Sequence, residues 1–233
     1  MIVGSGLVAR AFTAQAHALP ADTVVYAAGV SNSSCRDQRE FARERERLCA
    51  ALREAGSGWQ FIYFSTCSVE DPEARTSLYV THKRAMEELV AERTRHLVFR
   101  LPQLAGATPN PHTLLNYLYA RIVRAERFQI WGRAHRNIID IDDVARIAID
   151  LMQAERATDE TINIANVHGS SVLEVVRTME QVLGRSAIFD NMDQGSTYAI
   201  DTRRIQASLQ RCAITFPPTY LRDVIMKYYG HHV

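Results

Sequence analysis

Short apolar runs alternate with amphipathic stretches along most of the chain, and that alternation leaves few folds open to it. Residues 1–3, 23–28, 60–64, 96–101 and 162–165 read as strands. Between and after them, residues 7–18, 37–54, 78–93, 114–126, 143–153 and 172–183 have helical period, the last ending before Gly184. Strands apolar on both faces need helices over both. The pattern therefore predicts an α/β fold, a Rossmann-like doubly wound sheet of mostly parallel strands.

Composition narrows the class further. With 47% hydrophobic and 23% charged residues, a chain of 233 can bury the core of one domain, or of one domain and a smaller second. Charged or amide residues interrupt every apolar stretch, so no membrane span is expected. A net charge of +1 gives no field that would draw nucleic acid or acidic lipid. The cysteines Cys35, Cys49, Cys67 and Cys212 form no CxxC, and the first residues have neither a basic start nor a cleavage site. The expectation is a cytoplasmic protein with free thiols. Neither these cysteines nor the eight histidines have ligand spacing, so no metal is expected.

The chemistry gathers where strands and helices end. Gly4-Ser5-Gly6-Leu7-Val8-Ala9 is a G-x-G-x-x-A turn from strand to helix, which lets backbone approach a pyrophosphate at a helix N-terminus. A purely structural tight turn would use the same glycines. Tyr79 and Lys83 stand four apart on one helix face. An ammonium beside a phenol eases its ionisation, which suits proton exchange with a substrate hydroxyl or carbonyl. Of 27 basic residues only Lys83 and Lys227 are lysines, so an ammonium at this position is a marked choice. Ser65 and Thr66 follow the 60–64 strand, at the sheet edge where open α/β folds bind ligands. Thr66 can reach the oxygen that Tyr79 protonates, or can simply bond its own backbone. Cys67 has no histidine placed by sequence to activate it. The charged run at 37–47 reads as a solvated helix face.

Taken in order, these motifs resemble the extended short-chain dehydrogenase/reductase family, the branch of nucleotide-sugar epimerases, dehydratases and reductases. The resemblance implies an enzyme that uses NAD or NADP. It implies cofactor contacts from Gly4, Gly6, Leu7, Val8, Ala27, Ala28, Gly29, Ser65, Tyr79, Lys83 and Pro102. It makes Thr66, Tyr79 and Lys83 the catalytic set, with Tyr79 as acid/base and Lys83 lowering its pKa and holding the ribose. Phe99-Arg100-Leu101-Pro102 resembles the family's strand and loop beside the nicotinamide, and 136–145 its R-x-φ-φ-x-V-x-D-φ-A segment. Thr66, Gln103 and Arg136 are then the substrate contacts, Arg136 on the diphosphate of a nucleotide sugar. The implied role is epimerisation or reduction in polysaccharide or glycoside biosynthesis. Dehydration is disfavoured, because Cys67 follows Thr66 where an Asp-Glu pair would serve elimination. A homodimer through helices 37–54 and 78–93 also fits the family habit.

One departure matters. Between Gly6 and Tyr26 there is room for one helix and one loop, where a full dinucleotide fold places two more strands and the acidic ribose ligand. Asp22 is the only acidic residue there and precedes the next strand. The expectation is a Rossmann-like domain of residues 1–106 and 137–165 that is truncated in its adenosine half. Residues 107–136 and 166–233 then form a small substrate-binding domain. The truncation also opens an alternative, a sugar-nucleotide-binding or non-redox relative that no longer exchanges a dinucleotide.

Overall fold

A computed structural model describes residues 1–93, 95–154 and 157–230. The chain runs β1 (Ile2–Val3), α1 (Leu7–Ala14), β2 (Thr23–Tyr26), α2 (Gln38–Glu54), β3 (Gln60–Thr66), α3 (Leu78–Ala91) and β4 (His96–Leu101). Then come β5 (Gln103–Ala105), α4 (Leu114–Val123), β6 (Phe128–Trp131), β7 (His135–Arg136), β8 (Ile138–Asp140), α5 (Ile141–Gln153) and β9 (Glu160–Asn163). The last part holds β10 (Ser170–Ser171), α6 (Val172–Leu183), β11 (Phe189–Met192), α7 (Gln206–Arg211) and α8 (Tyr220–Tyr229).

Five strands form one parallel sheet in the order β1-β2-β3-β4-β9. Side chains alternate across it with period two. Val25, Ile62, Leu97 and Phe99 face α1 and α5, where Phe12, Ile147 and Leu151 meet them. Val24, Phe61, Tyr63 and Val98 face α2 and α3, against Leu48, Met86 and Val90. The sheet is thus covered on both sides, the α/β architecture that the apolar strands require. Only α1 and a single 3₁₀ turn (Ala16–Ala18) separate β1 from β2, so β1 lies at the sheet edge with no further strand beyond it among the described residues.

A second apolar centre gathers α4, α6, α8 and β6 around Leu118, Val176, Met179 and Ile225. Residues Ile205, Leu209, Ile214 and Phe216 do not join it. They pack in the main cluster, where α7 covers α5, although the sequence grouped them with the smaller part. The reason is that the apolar face of α5 is broad, running from Ile147 and Leu151 through Val144 and Ala148 to Ile149, and takes α7 as well as α1. Several boundaries also move. Helix α1 ends at Ala14, and β3 extends to Thr66, so Ser65 and Thr66 are strand residues.

The second lysine fastens the C-terminal helix. Lys227 Nζ lies 2.7 Å from Asp140 Oδ2 and 2.7 Å from Asp142 Oδ2, and the Tyr228 hydroxyl donates to Asp140 Oδ1 at 2.7 Å. Asp140 is buried and caps α5 through the Asp142 N–H. Lys227→Met should lower the urea midpoint by the equivalent of about 1 kcal/mol, since the ammonium is half exposed while one carboxylate is not.

Candidate functional site

A cleft of about 570 Å³ opens at the C-terminal ends of the strands. Gly4, Gly6, Leu7 and Val8 line it, as do Ala27, Ala28 and Gly29 from the end of β2. Ser65, Thr66, Tyr79, Lys83, Pro102 and Gln103 complete its inner wall. The fold therefore brings together every residue expected at the cofactor and catalytic positions. Of the expected substrate contacts, Thr66 and Gln103 share the lining and Arg136 does not. It lies on β7 outside this lining, its Nη1 donating to the His135 carbonyl at 2.8 Å.

The glycine turn is built by steric necessity. Gly4 has φ +129°, and a Cβ there would stand 2.3 Å from the Ala27 carbonyl oxygen. Gly4→Ala should therefore cost about 1–3 kcal/mol in stability, readable in thermal or urea unfolding. Gly6 is the N-cap of α1 and offers no side chain, so the first N–H groups of this helix meet the cleft uncapped. A Cβ on Gly6 would meet nothing within 4 Å. Arg10 braces the turn by donating to Ser5 O at 3.2 Å and Ala107 O at 2.7 Å.

Tyr79 is buried to 7% exposure on α3, and its hydroxyl is hydrogen-bonded with Thr66. Thr66 Oγ1 also accepts from the Ser68 N–H at 3.1 Å, so the strand-end hydroxyl serves both its backbone and Tyr79. Ser65 Oγ is buried on the same wall without a hydrogen-bond partner. Cys67 donates to the Arg100 carbonyl at 3.3 Å, and burial pushes its thiol up, which removes it as a nucleophile.

Lys83 lines the cleft from a buried position. Its ammonium, with a side chain 3% exposed, donates to Glu44 Oε1 at 3.0 Å, the Tyr63 hydroxyl at 3.1 Å and the Phe64 carbonyl at 3.4 Å. Glu44 comes from α2 and is 2% exposed. It accepts further from Tyr63 OH at 2.8 Å and the Val30 N–H at 2.6 Å. His82 Nε2 lies 3.0 Å from Glu44 Oε2 but makes no well-aligned hydrogen bond. Burial pushes the Glu44 carboxyl up, but Lys83, His82, Val30 and Tyr63 outweigh it and hold it at about 2. The Tyr79 phenol is raised, by burial first and then by the Glu44 charge. Lys83 and Glu44 thus form a buried ion pair behind Tyr79.

Glu44 also corrects the view of 37–47 as a wholly solvated face. Phe41, Glu44, Leu48 and Ala51 are the buried stripe of α2. The helical spacing of this stripe is legible in the sequence, and Glu44 falls within it. Gly29 belongs to the same arrangement, since a Cβ there would lie 2.6 Å from Lys83 Nζ and 2.8 Å from Glu44 Oε1. Tyr198 was missed as well. It is hydrogen-bonded with Ser68 and stands near the charge of Arg136. Ser196 Oγ donates to Asp71 Oδ1 at 3.1 Å, so the segment after β11 folds back beside the end of β3.

Residues 7–165 match the model of the NAD dependent epimerase/dehydratase family. A curated relative, dTDP-4-dehydro-6-deoxy-D-allose reductase of Streptomyces bikiniensis, is 24% identical over 132 residues, which cover 54% of this chain. The match spans only 40% of that relative's length. Among solved structures, RMD from Pseudomonas aeruginosa complexed with NADPH superposes with TM-score 0.76 at 17% identity, over 100% of this chain and 98% of that one. The UDP-glucuronic acid 4-epimerase from Bacillus cereus, in complex with UDP-glucuronic acid and NAD, gives TM-score 0.70 at 20% identity, over 90% of this chain and 74% of the other. These structural likenesses concern the fold. The family follows from the sequence match across more than half of the chain, from the start of α1 through β9: this protein belongs to the NAD dependent epimerase/dehydratase family.

Proposed function

We propose that the chain is an NAD(P)-dependent oxidoreductase or epimerase acting on a nucleotide-activated sugar. The observation that carries the reading is convergence: an uncapped helix N-terminus, Thr66 and Tyr79 line one cleft at the sheet edge where such folds bind ligands. The residues present suit the pyrophosphate and nicotinamide part of a dinucleotide. The free N–H groups of α1 suit a pyrophosphate, and the unpartnered Ser65 Oγ lies on the wall beside Pro102. When bound, the nicotinamide supplies or accepts the hydride.

The chain's own groups handle the proton and the orientation. Thr66 holds the sugar oxygen, and Tyr79 exchanges a proton with that oxygen through its hydroxyl. Gln103 lies on the same wall to contact the sugar. Arg136 would reach a diphosphate only if the ligand extends past the cleft toward Tyr198. No elimination catalyst stands at Cys67, whose buried thiol is neutral, so reduction or epimerisation is favoured over dehydration.

The truncated sheet favours one second reading. With β1 at the edge, no strand among the described residues stands where the adenosine half would lie, which suits a sugar-nucleotide-binding or non-redox relative. Native followed by denaturing mass spectrometry separates the two. A released or saturably bound dinucleotide supports the redox reading, and binding of a UDP- or dTDP-sugar alone supports the other.

A further inference from the structure

We infer that Arg10 and Arg47 form an anion-binding rim on the cleft that selects a dinucleotide carrying a 2′-phosphate on its adenosine ribose, NADPH over NADH. This rests on the proposed reading of the cleft as a dinucleotide site.

The charges on the cleft wall have one sign. Arg10, Arg47 and Lys83 line it, and no aspartate or glutamate does among the described residues. Lys83 is paired with Glu44, so the two arginines carry the uncompensated charge. They come from opposite faces of the sheet. Arg10 belongs to α1, on the side where Ile2 packs, and Arg47 to α2, on the side of Val3. Edge strand β1 and the Gly4-Ser5 turn lie between them, where a full dinucleotide fold continues into its adenosine half.

Both guanidinium groups are open to a ligand. Arg47 is exposed and has no hydrogen-bond or carboxylate partner among the described residues. Arg39 and Arg43 of the same helix are instead held by Asp37 and Glu40, and lie outside the lining. Arg10 donates only to the carbonyl oxygens of Ser5 and Ala107, which leave its charge unmatched. Ser31 and Ser33 add hydroxyls to the same lining. A carboxylate suits a ribose 2′-hydroxyl, and an arginine suits a 2′-phosphate. The carboxylate is absent from this edge. Asp22 precedes β2, at the end of the sheet away from the cleft, and pairs with Arg95 at 3.1 Å. With no further strand to hold the adenosine, charge carries a larger share of the binding, and that share is sensitive to salt.

The test reads binding, not turnover. The intact protein is titrated calorimetrically with NADPH and with NADH, at ionic strengths of about 0.1 M and about 1 M. At the lower salt NADPH should bind about tenfold to a hundredfold more tightly than NADH, the effect of charge-assisted hydrogen bonds to one phosphate. The gap should narrow at the higher salt. Arg47→Gln should remove most of the preference by weakening NADPH alone, with NADH affinity unchanged. Arg10→Gln should act in the same direction, although Arg10 also braces the glycine turn. Equal affinity for the two dinucleotides, a preference for NADH, or an Arg47→Gln protein that loses both alike overturns the inference and leaves the dinucleotide reading standing. Binding of neither overturns both. Should Arg47→Gln fail to fold, the wild-type ratio and its salt dependence decide.

Discussion

Tyr79→Phe should lower turnover by about a hundredfold to ten-thousandfold while leaving the fold and dinucleotide affinity almost unchanged. The substitution removes one hydroxyl from a side chain already packed between α3 and the cleft wall, so no cavity opens. Only the proton and the hydrogen bond with Thr66 are lost. Thr66→Val should fall in the same direction by a smaller factor, because the proton donor survives and only the orientation of the substrate oxygen suffers. Steady-state kinetics on a nucleotide-activated sugar, beside a dinucleotide titration, separates the two losses. A Tyr79→Phe protein with wild-type turnover would remove Tyr79 from the reaction.

The largest stability effect is expected at the Glu44–Lys83 pair. Glu44→Leu strands a buried ammonium and should cost about 3–5 kcal/mol, as should Lys83→Met for the opposite reason. Replacing both together should cost far less than the sum, since no uncompensated charge remains. Equilibrium urea unfolding of the single and double variants measures that coupling. Acid should reproduce part of it. The Glu44 carboxyl is held at about 2 in the folded chain, below its unfolded value near 4.3. Its contribution is therefore complete above about pH 5 and fades as the pH falls toward 2. Glu44→Gln should flatten the acid limb of the stability profile over that window.

How much of this was legible in the sequence depends on whether the information was local. The strands were readable because each is a short apolar run that a parallel sheet must bury, and β4 and α6 fall at the expected residues. The cleft residues were readable because their backbone roles fix their identity, as at Gly4 with its positive φ. The truncation was readable from chain length alone, as the single helix between β1 and β2 bears out.

What escaped was set by tertiary pairing. Glu44 looks like its exposed neighbours until α2 is laid against α3, where its partner Lys83 lies 39 residues further along the chain. The rarity of lysine marked both Lys83 and Lys227, yet not their partners, and in each case those partners are carboxylates on other elements. The placement of 205–216 escaped for the same reason, since nothing local says that α5 has a second face to cover. Arg136 is marked by a motif, which carries no location, and it lies outside the cleft lining.

The proposed chemistry depends on whether a cleft without an adenosine half still takes a nicotinamide dinucleotide. Calorimetric titration of the intact protein with NADH and with NADPH tests this most directly. The expected result is saturable binding of one dinucleotide per chain, weakened by Gly6→Val, whose side chain would enter the space beside the first turn of α1. Absence of binding to either dinucleotide at millimolar concentration, with a nucleotide sugar still bound, would contradict it and leave the non-redox reading in its place.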